Sequence, residues 1–307
     1  MKYKIAFVIP VHNRLEYNKE CLQILEKQKE TLFFSSNDIE IIVVDDGSTD
    51  GTGEWIRENR KDVIVLQGDG NLWYSGSMNL GMKYAIENFD SDFIMVWEND
   101  IFPVDDYFNQ LQYILNDWDG KTLICSKLYY RVQPDKIFGM GGTFDIKTGR
   151  KSLIGRTQTD GPEYQKDIEV DWFLGQGVLI HKDIISKVGY LDEKNFPQYH
   201  ADVDYSLRAK EAGYTNMVFQ KLKLLNDTEM TGISHLKNKS LKQFFESLTS
   251  IRSNTNLAKD IIFYRIHTKG ITAYQVLIKK YVTYIGSYFK WTFLGWFGMR
   301  RKNEDLL

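Results

Sequence analysis

Ile39-Glu40-Ile41-Ile42-Val43-Val44-Asp45-Asp46-Gly47-Ser48 is the stretch on which the fold reading turns. Five of its first six residues are β-branched and apolar, the composition of a strand buried on both faces. It then breaks into two carboxylates, a glycine and a serine, which suit a turn that opens a helix. The same pattern recurs upstream, where Ile5 to Val11 runs into His12-Asn13-Arg14, and downstream, where Val63 to Leu66 leads to Gly68 through Asn71. Phe93 to Trp97, ending at Glu98-Asn99-Asp100, is the fourth case. Segments of helical spacing separate and follow these runs, marked by Leu15, Leu22 and Leu25, by Trp55 and Ile56, by Met78, Met82 and Ile86, and by Leu111 with Leu115. Strand and helix in alternation predict a mainly parallel α/β sheet with helices on both faces. Ligands of such sheets bind outside the carboxyl ends of the strands, so the four polar clusters are expected to build one crevice.

The remainder of the 307 residues fits this plan. An apolar fraction of 43% and a charged fraction of 26% are ample for one large or two modest domains. With 39 Lys+Arg against 41 Asp+Glu there is no electrostatic case for nucleic acid. Cys21 and Cys125 are too few for a disulfide framework, which suits a cytoplasmic setting. Lys2 and Lys4 before Ile5 to Val11 imitate a short signal sequence, but Pro10 and His12-Asn13-Arg14 cut it off, and the segment is expected to stay as a first strand. Gly139, Gly141, Gly142, Gly149, Gly155 and Gly161 punctuate hairpins or an irregular lid in the middle of the chain. Regularity returns at Val170 to His181; Asp202 to Ala212 then reads as a helix and Thr215 to Phe219 as a closing strand. From Leu241 the pattern is helical, with Tyr274, Leu277, Ile278, Tyr281, Ile285 and Tyr288 on one apolar face. Lys279, Lys280 and Lys290 interrupt that region, so no stretch reaches the roughly 20 apolar residues of a membrane span. The expected division is residues 1–240 and a helical extension over 241–307, without an internal repeat.

Several polar groups could carry chemistry. Glu98 and Asp100 flank one residue at a strand end and can converge on a hard divalent cation, Mg²⁺ or Mn²⁺; solvated acids of a turn are the other reading. Asp45-Asp46 offers one carboxylate for a helix cap and a second for a base or ribose. Asp202 and Asp204 fall in the first turn of a helix, where the macrodipole favours them and where one could also act as general base. Asn79 reads either as a ligand contact or as a buried amide bonded to backbone. His235 reads as a ligand or as a surface residue. Trp172 reads as a sugar-facing ring or a core residue, and glycines around Gln176 permit close approach.

The order and spacing of these motifs resemble the inverting glycosyltransferases of family 2, which have the GT-A fold. The resemblance covers about the first 235 residues and rests on Val8 to Arg14, Val43 to Ser48, Gly70-Asn71 through Asn79-Leu80-Gly81, Glu98-Asn99-Asp100, Gly175-Gln176-Gly177 and Asp202-Val203-Asp204 through Gly213. Gly70 to Asn79 looks most like the rhamnosyltransferase-like and galactofuranosyltransferase-like branch. It implies nucleotide contacts at Pro10, His12, Asp46, Asn71, Asn79 and Asn99, a metal held by Asp100 with Glu98 and His235, and Asp202 as catalytic base. Ala201 stands where the family usually has a second acid, and Glu98 where it usually has Asp. Trp172, Gly175, Gln176 and Gly177 would face the sugar or acceptor.

The expected protein is thus a metal-dependent transferase of a sugar, rhamnose or galactose type, from a nucleotide-diphosphate sugar donor to a glycan or lipid-linked glycan in bacterial surface polysaccharide synthesis. A sugar nucleotidyltransferase is the rival enzyme, although the basic triphosphate loop is missing; a non-catalytic glycan- or nucleotide-binding module is the rival from another class. The aromatic and basic C-terminal segment, with Trp291, Trp296, Lys290, Arg300, Arg301 and Lys302, suits peripheral contact with the inner face of a membrane, a homodimer contact, or packing on the catalytic domain.

Overall fold

The computed structural model describes residues 3–31, 38–227 and 240–296. His235, Arg300, Arg301 and Lys302 lie outside them. The first half runs β1 (Ile5–Val11), α1 (Leu15–Thr31), β2 (Ile39–Asp45), α2 (Thr52–Asn59), β3 (Val63–Gln67), α3 (Trp73–Phe89), β4 (Phe93–Val96), β5 (Ile101–Pro103) and α4 (Tyr107–Asn116). The second half continues through β6 (Thr122–Tyr130), β7 (Gln133–Gly139), β8 (Gly142–Phe144), β9 (Lys151–Leu153), β10 (Ile168–Val170), β11 (Val178–His181), α5 (Lys182–Val188), α6 (Ala201–Glu211) and β12 (Thr215–Asn226). Helices α7 (Leu241–Thr249), α8 (Leu257–His267) and α9 (Thr272–Trp296) close the described chain.

One sheet in the order β10-β12-β6-β11-β4-β1-β2-β3 organises the fold, with β5 on β12 and β7 on β6. The expected parallel core is β4-β1-β2-β3; β11 enters antiparallel between β4 and β6. Continuous apolar strands follow from this, because each feeds two cores: Phe7 and Ile9 of β1 point to one face, Ala6 and Val8 to the other. Pro10 is tolerated in this central strand because β4 pairs with β1 only as far as Val8. On the second face α3 lies so close that a Cβ on Gly81 would come within 2.3 Å of Val8 Cγ1. The closing strand reaches Asn226, past the expected Phe219, across a register shift that disguises its period. The glycine-rich middle forms the β6/β7 pairing and the β8-β9 hairpin.

A third core joins Phe263 and Tyr264 of α8 and Ala273, Leu277 and Tyr281 of α9 to Ala201, Val203 and Leu207 of α6. Buried charge reinforces it. His200 Nε2 donates to Asp260 Oδ1 at 2.8 Å, and Asp260 also accepts from Lys280 and, at 2.6 Å, from the Tyr281 hydroxyl. His267 Nε2 donates to Asp204 Oδ1 at 2.8 Å. These partners hold the Asp260 carboxyl at about 2 against the opposing effect of its burial. The single apolar face expected of α9 is two faces: Leu277, Tyr281 and Tyr288 are buried, whereas Ile278 and Ile285 are exposed.

Candidate active site at the carboxyl ends of the strands

Glu98 and Asp100 occupy the turn between β4 and β5 as a pair of neighbouring acids. Burial raises the Glu98 carboxyl to about 8, and the neighbouring Asp100 charge adds to this. Burial raises Asp100 as well, against the pull of Arg14, whose guanidinium donates to Asp100 Oδ2 at 3.2 Å. Asp100 Oδ1 is buried with no hydrogen-bond donor. Two desolvated acids, of which Asp100 is paired with a guanidinium and keeps one oxygen without a donor, fit a hard divalent cation that keeps other positions for substrate phosphate and water. Among the described residues no group of three or more His, Cys, Asp or Glu converges on such an ion.

Gln176 is part of the acid pair's support: its Nε2 donates to Glu98 Oε2 at 2.8 Å, and its Oε1 accepts from Asn226 Nδ2 at 3.0 Å. Gln176, read from the sequence as facing the sugar or acceptor, thus orients Glu98. Gly177 is likewise structural, with φ +65° and a Cβ that would lie 2.2 Å from Leu224 Cδ1.

On the nucleotide side the structure redistributes the expected roles. His12 is exposed, and its Nδ1–H donates to the Asp46 carbonyl at 2.7 Å. The Asp46 carboxylate itself accepts backbone N–H groups of Gly70 at 2.8 Å, Leu72 at 3.2 Å and Trp73 at 2.9 Å. Asp46 therefore ties down the loop that carries exposed Asn71. Asn79 is buried, the second of its two readings: its amide bonds Leu191 N, Leu191 O and Glu193 Oε2 at 2.8 to 2.9 Å, stitching α3 to the segment after α5. Asn99 donates to Asn18 Oδ1 at 2.8 Å, and Asn18 holds the carbonyls of Asn13 and Arg14.

Asp202 opens α6 at the other wall. Its Oδ2 accepts from Gly175 N at 3.3 Å, and the Gly175 carbonyl accepts from the Tyr74 hydroxyl at 3.0 Å. A Cβ on Gly175 would stand 2.7 Å from that hydroxyl, so glycine is needed for the approach. Burial drives the Tyr74 hydroxyl well above its ordinary range, and the charges of Glu98 and Asp202 add to it. Trp172, read from the sequence as sugar-facing or core, is 5% exposed, packs in the third core and donates its indole N–H to the Thr143 carbonyl at 3.3 Å. Ala201, where an acid was expected, is buried in the same core, where a charge would have no solvent. Of six non-glycine residues with positive φ, Asn13, Arg14, Trp73 and His200 flank the crevice or its helix; such strain gathers at working sites. Arg14 and Tyr74 were within motifs read from the sequence but had been given no role.

A parallel nucleotide-type sheet whose strand ends carry a cation-ready acid pair and a separate half-buried aspartate defines the class of sugar-nucleotide transferases. Residues 6–168 match Glycosyl transferase family 2, and the chain belongs to that family and to the glycosyltransferase class. It is 22% identical over 174 residues to the low-salt glycan biosynthesis hexosyltransferase Agl10 of Haloferax volcanii, a match covering 56% of this chain and 53% of the relative. It is 27% identical over 135 residues to glycosyltransferase GlyG of Streptococcus pneumoniae serotype 4, covering 42% and 41% respectively. The matches thus span about half or less of these relatives. Among solved structures, GalNAc-T7 with UDP, GalNAc and Mn²⁺ aligns with a TM-score of 0.59 at 12% identity, covering 73% of this chain and 44% of that one. Staphylococcus aureus TarS 1-349 with UDP-GlcNAc aligns at 0.56 and 15% identity, covering 88% and 69%. These likenesses establish the fold as GT-A.

Proposed function

We propose that this protein transfers a sugar from a nucleotide-diphosphate sugar to a hydroxyl of a glycan or lipid-linked glycan, with inversion and with a bound Mn²⁺ or Mg²⁺. Residues 1–240 form the catalytic unit in this reading, and 241–307 the helical extension. The observation that carries it is that two adjacent residues tie the acids to Asp202: Gly175 N–H donates to Asp202 Oδ2 at 3.3 Å and Gln176 Nε2 to Glu98 Oε2 at 2.8 Å. Glu98 and Asp100 would hold the cation, which when bound supplies charge neutralisation for the diphosphate. His12 stacks on the base, and the loop clamped by Asp46 closes beside the nucleotide. Asp202 takes the proton of the acceptor hydroxyl; the acceptor oxygen bonds to the anomeric carbon as the bond to the diphosphate breaks on the opposite face. Gly175 N–H holds Asp202 in place for this step. The Gly70 to Asn79 stretch supports a rhamnose- or galactose-type donor, and the Agl10 likeness supports a role in glycan biosynthesis.

Thermal stabilisation by uridine, deoxythymidine and guanosine diphosphates, with and without Mn²⁺, tests the donor site. Ligand at about 100 times its dissociation constant adds roughly 2.7 kcal/mol. One nucleotide is expected to stabilise the wild type in a Mn²⁺-dependent way and to lose that dependence in Asp100→Ala. No response to any nucleotide would overturn the reading.

A further inference from the structure

Helix α9 carries three parallel lines of side chains. Leu277, Tyr281, Tyr284 and Tyr288 are buried against the protein. The residue after each one, Ile278, Val282, Ile285 and Phe289, is exposed by 61%, 65%, 39% and 57%. The next residue in each case, Lys279, Thr283, Gly286 and Lys290, is exposed and not hydrocarbon. Successive residues stand about 100° apart, so the helix turns one face to the protein, a second apolar face to solvent, and a third, lysine-bearing face beside it. Ile271, 79% exposed, extends the apolar line just before the helix.

Charge is distributed to match. From Ile261 to Asn303 there is no Asp or Glu, against eight Lys and Arg. The rest of the chain then holds 31 Lys+Arg against 41 Asp+Glu, so basic character is concentrated where hydrocarbon is exposed. A stripe of Ile, Val and Phe bordered by lysines and free of carboxylates complements a surface that is apolar beneath and anionic at its headgroups. A second copy of the same stripe would instead set like charges together. Among the described residues no helix is long and apolar enough to cross a membrane.

We propose that α9 lies along an anionic lipid surface, with Ile278, Val282, Ile285 and Phe289 in the acyl boundary and Lys279 and Lys290 at headgroup level. The inference stands apart from the catalytic reading, because its test measures no transfer. The test is flotation of the full chain with phosphatidylcholine vesicles, with and without phosphatidylglycerol, alongside Ile278→Ser/Val282→Ser/Phe289→Ser and the control Tyr113→Ser, whose ring is exposed on α4. Wild type and control are expected to float with the anionic vesicles and to be released by high salt. The triple variant, whose unchanged melting temperature would certify its fold, is expected to partition at least roughly tenfold less. Lys279→Gln/Lys290→Gln is expected to weaken binding to anionic vesicles only. Failure of the wild type to float, equal flotation of the triple variant, or a wild-type dimer in light scattering that the triple variant abolishes would overturn the proposal.

Discussion

The crevice and the helical extension leave opposite things unsatisfied. In the sheet domain hydrocarbon is sealed away while charge is left short of partners: Asp100 Oδ1 and Asn226 Oδ1 are buried without hydrogen bonds, and Glu98 faces a second acid. In the extension the interior polar groups are engaged, Asp260 by three partners, while hydrocarbon is left at the surface. Of fourteen exposed large hydrophobic side chains among the described residues, eleven lie in or beside α7 to α9. All six buried side-chain atoms without a partner lie before Asp227. An unfilled valence inside a protein asks for an ion or a substrate, whereas an unfilled contact outside asks for a surface.

Substitutions can break that contrast. The largest expected effect is on activity: Asp202→Asn should reduce transfer by roughly 10²- to 10⁴-fold while nucleotide-dependent stabilisation persists, as read by product formation and thermal shift on one preparation. Full activity would remove Asp202 from the mechanism. In the extension the loss should be of stability instead. Asp260→Asn abandons Lys280 and His200 in a buried network, and urea unfolding should report about 3 kcal/mol less than wild type. A change below about 0.5 kcal/mol would mean that the network is not structural.

The acid pair should behave in the reverse sense. Because the folded Glu98 carboxyl lies above its ordinary 4.5, at about 8, ionising it opposes folding, and the metal-free protein should lose stability as pH rises through that window. Glu98→Gln should flatten this slope in melting curves and gain stability near pH 8, with Mn²⁺ stabilising only the wild type. The smallest effect belongs to the exposed line: Ile285→Ser should change unfolding free energy by no more than about 0.5 kcal/mol, a value that a covered interface would exceed.

The sheet was legible because strands buried on both faces need unbroken apolar runs, and β1, β2 and β4 have them. Glu98 and Asp100 stand out in the sequence because they directly follow an apolar strand, and Asp202 because it opens a helix. The hydrogen-bond partners of Asn79 and Gln176 were not legible, since they lie 112 and 78 residues away and no spacing encodes them. The same holds for Asp46, whose carboxylate accepts from a loop 24 to 27 residues on. The second face of α9 was hidden by arithmetic, because exposed and buried lines share one 3–4 spacing and differ by a single step.

The two histidine–aspartate contacts on either side of Asp202 bear on how this protein can be rebuilt. His200 answers to Asp260 and Asp204 to His267, so the helix that presents the proposed base is held from the far side of the nominal boundary at 240. A chimera that grafts this sheet onto another tail would have to carry Asp260 and His267 with it. For recombination, a cut at 240 would sever both contacts, and one after α8 would part Asp260 from Lys280 and Tyr281.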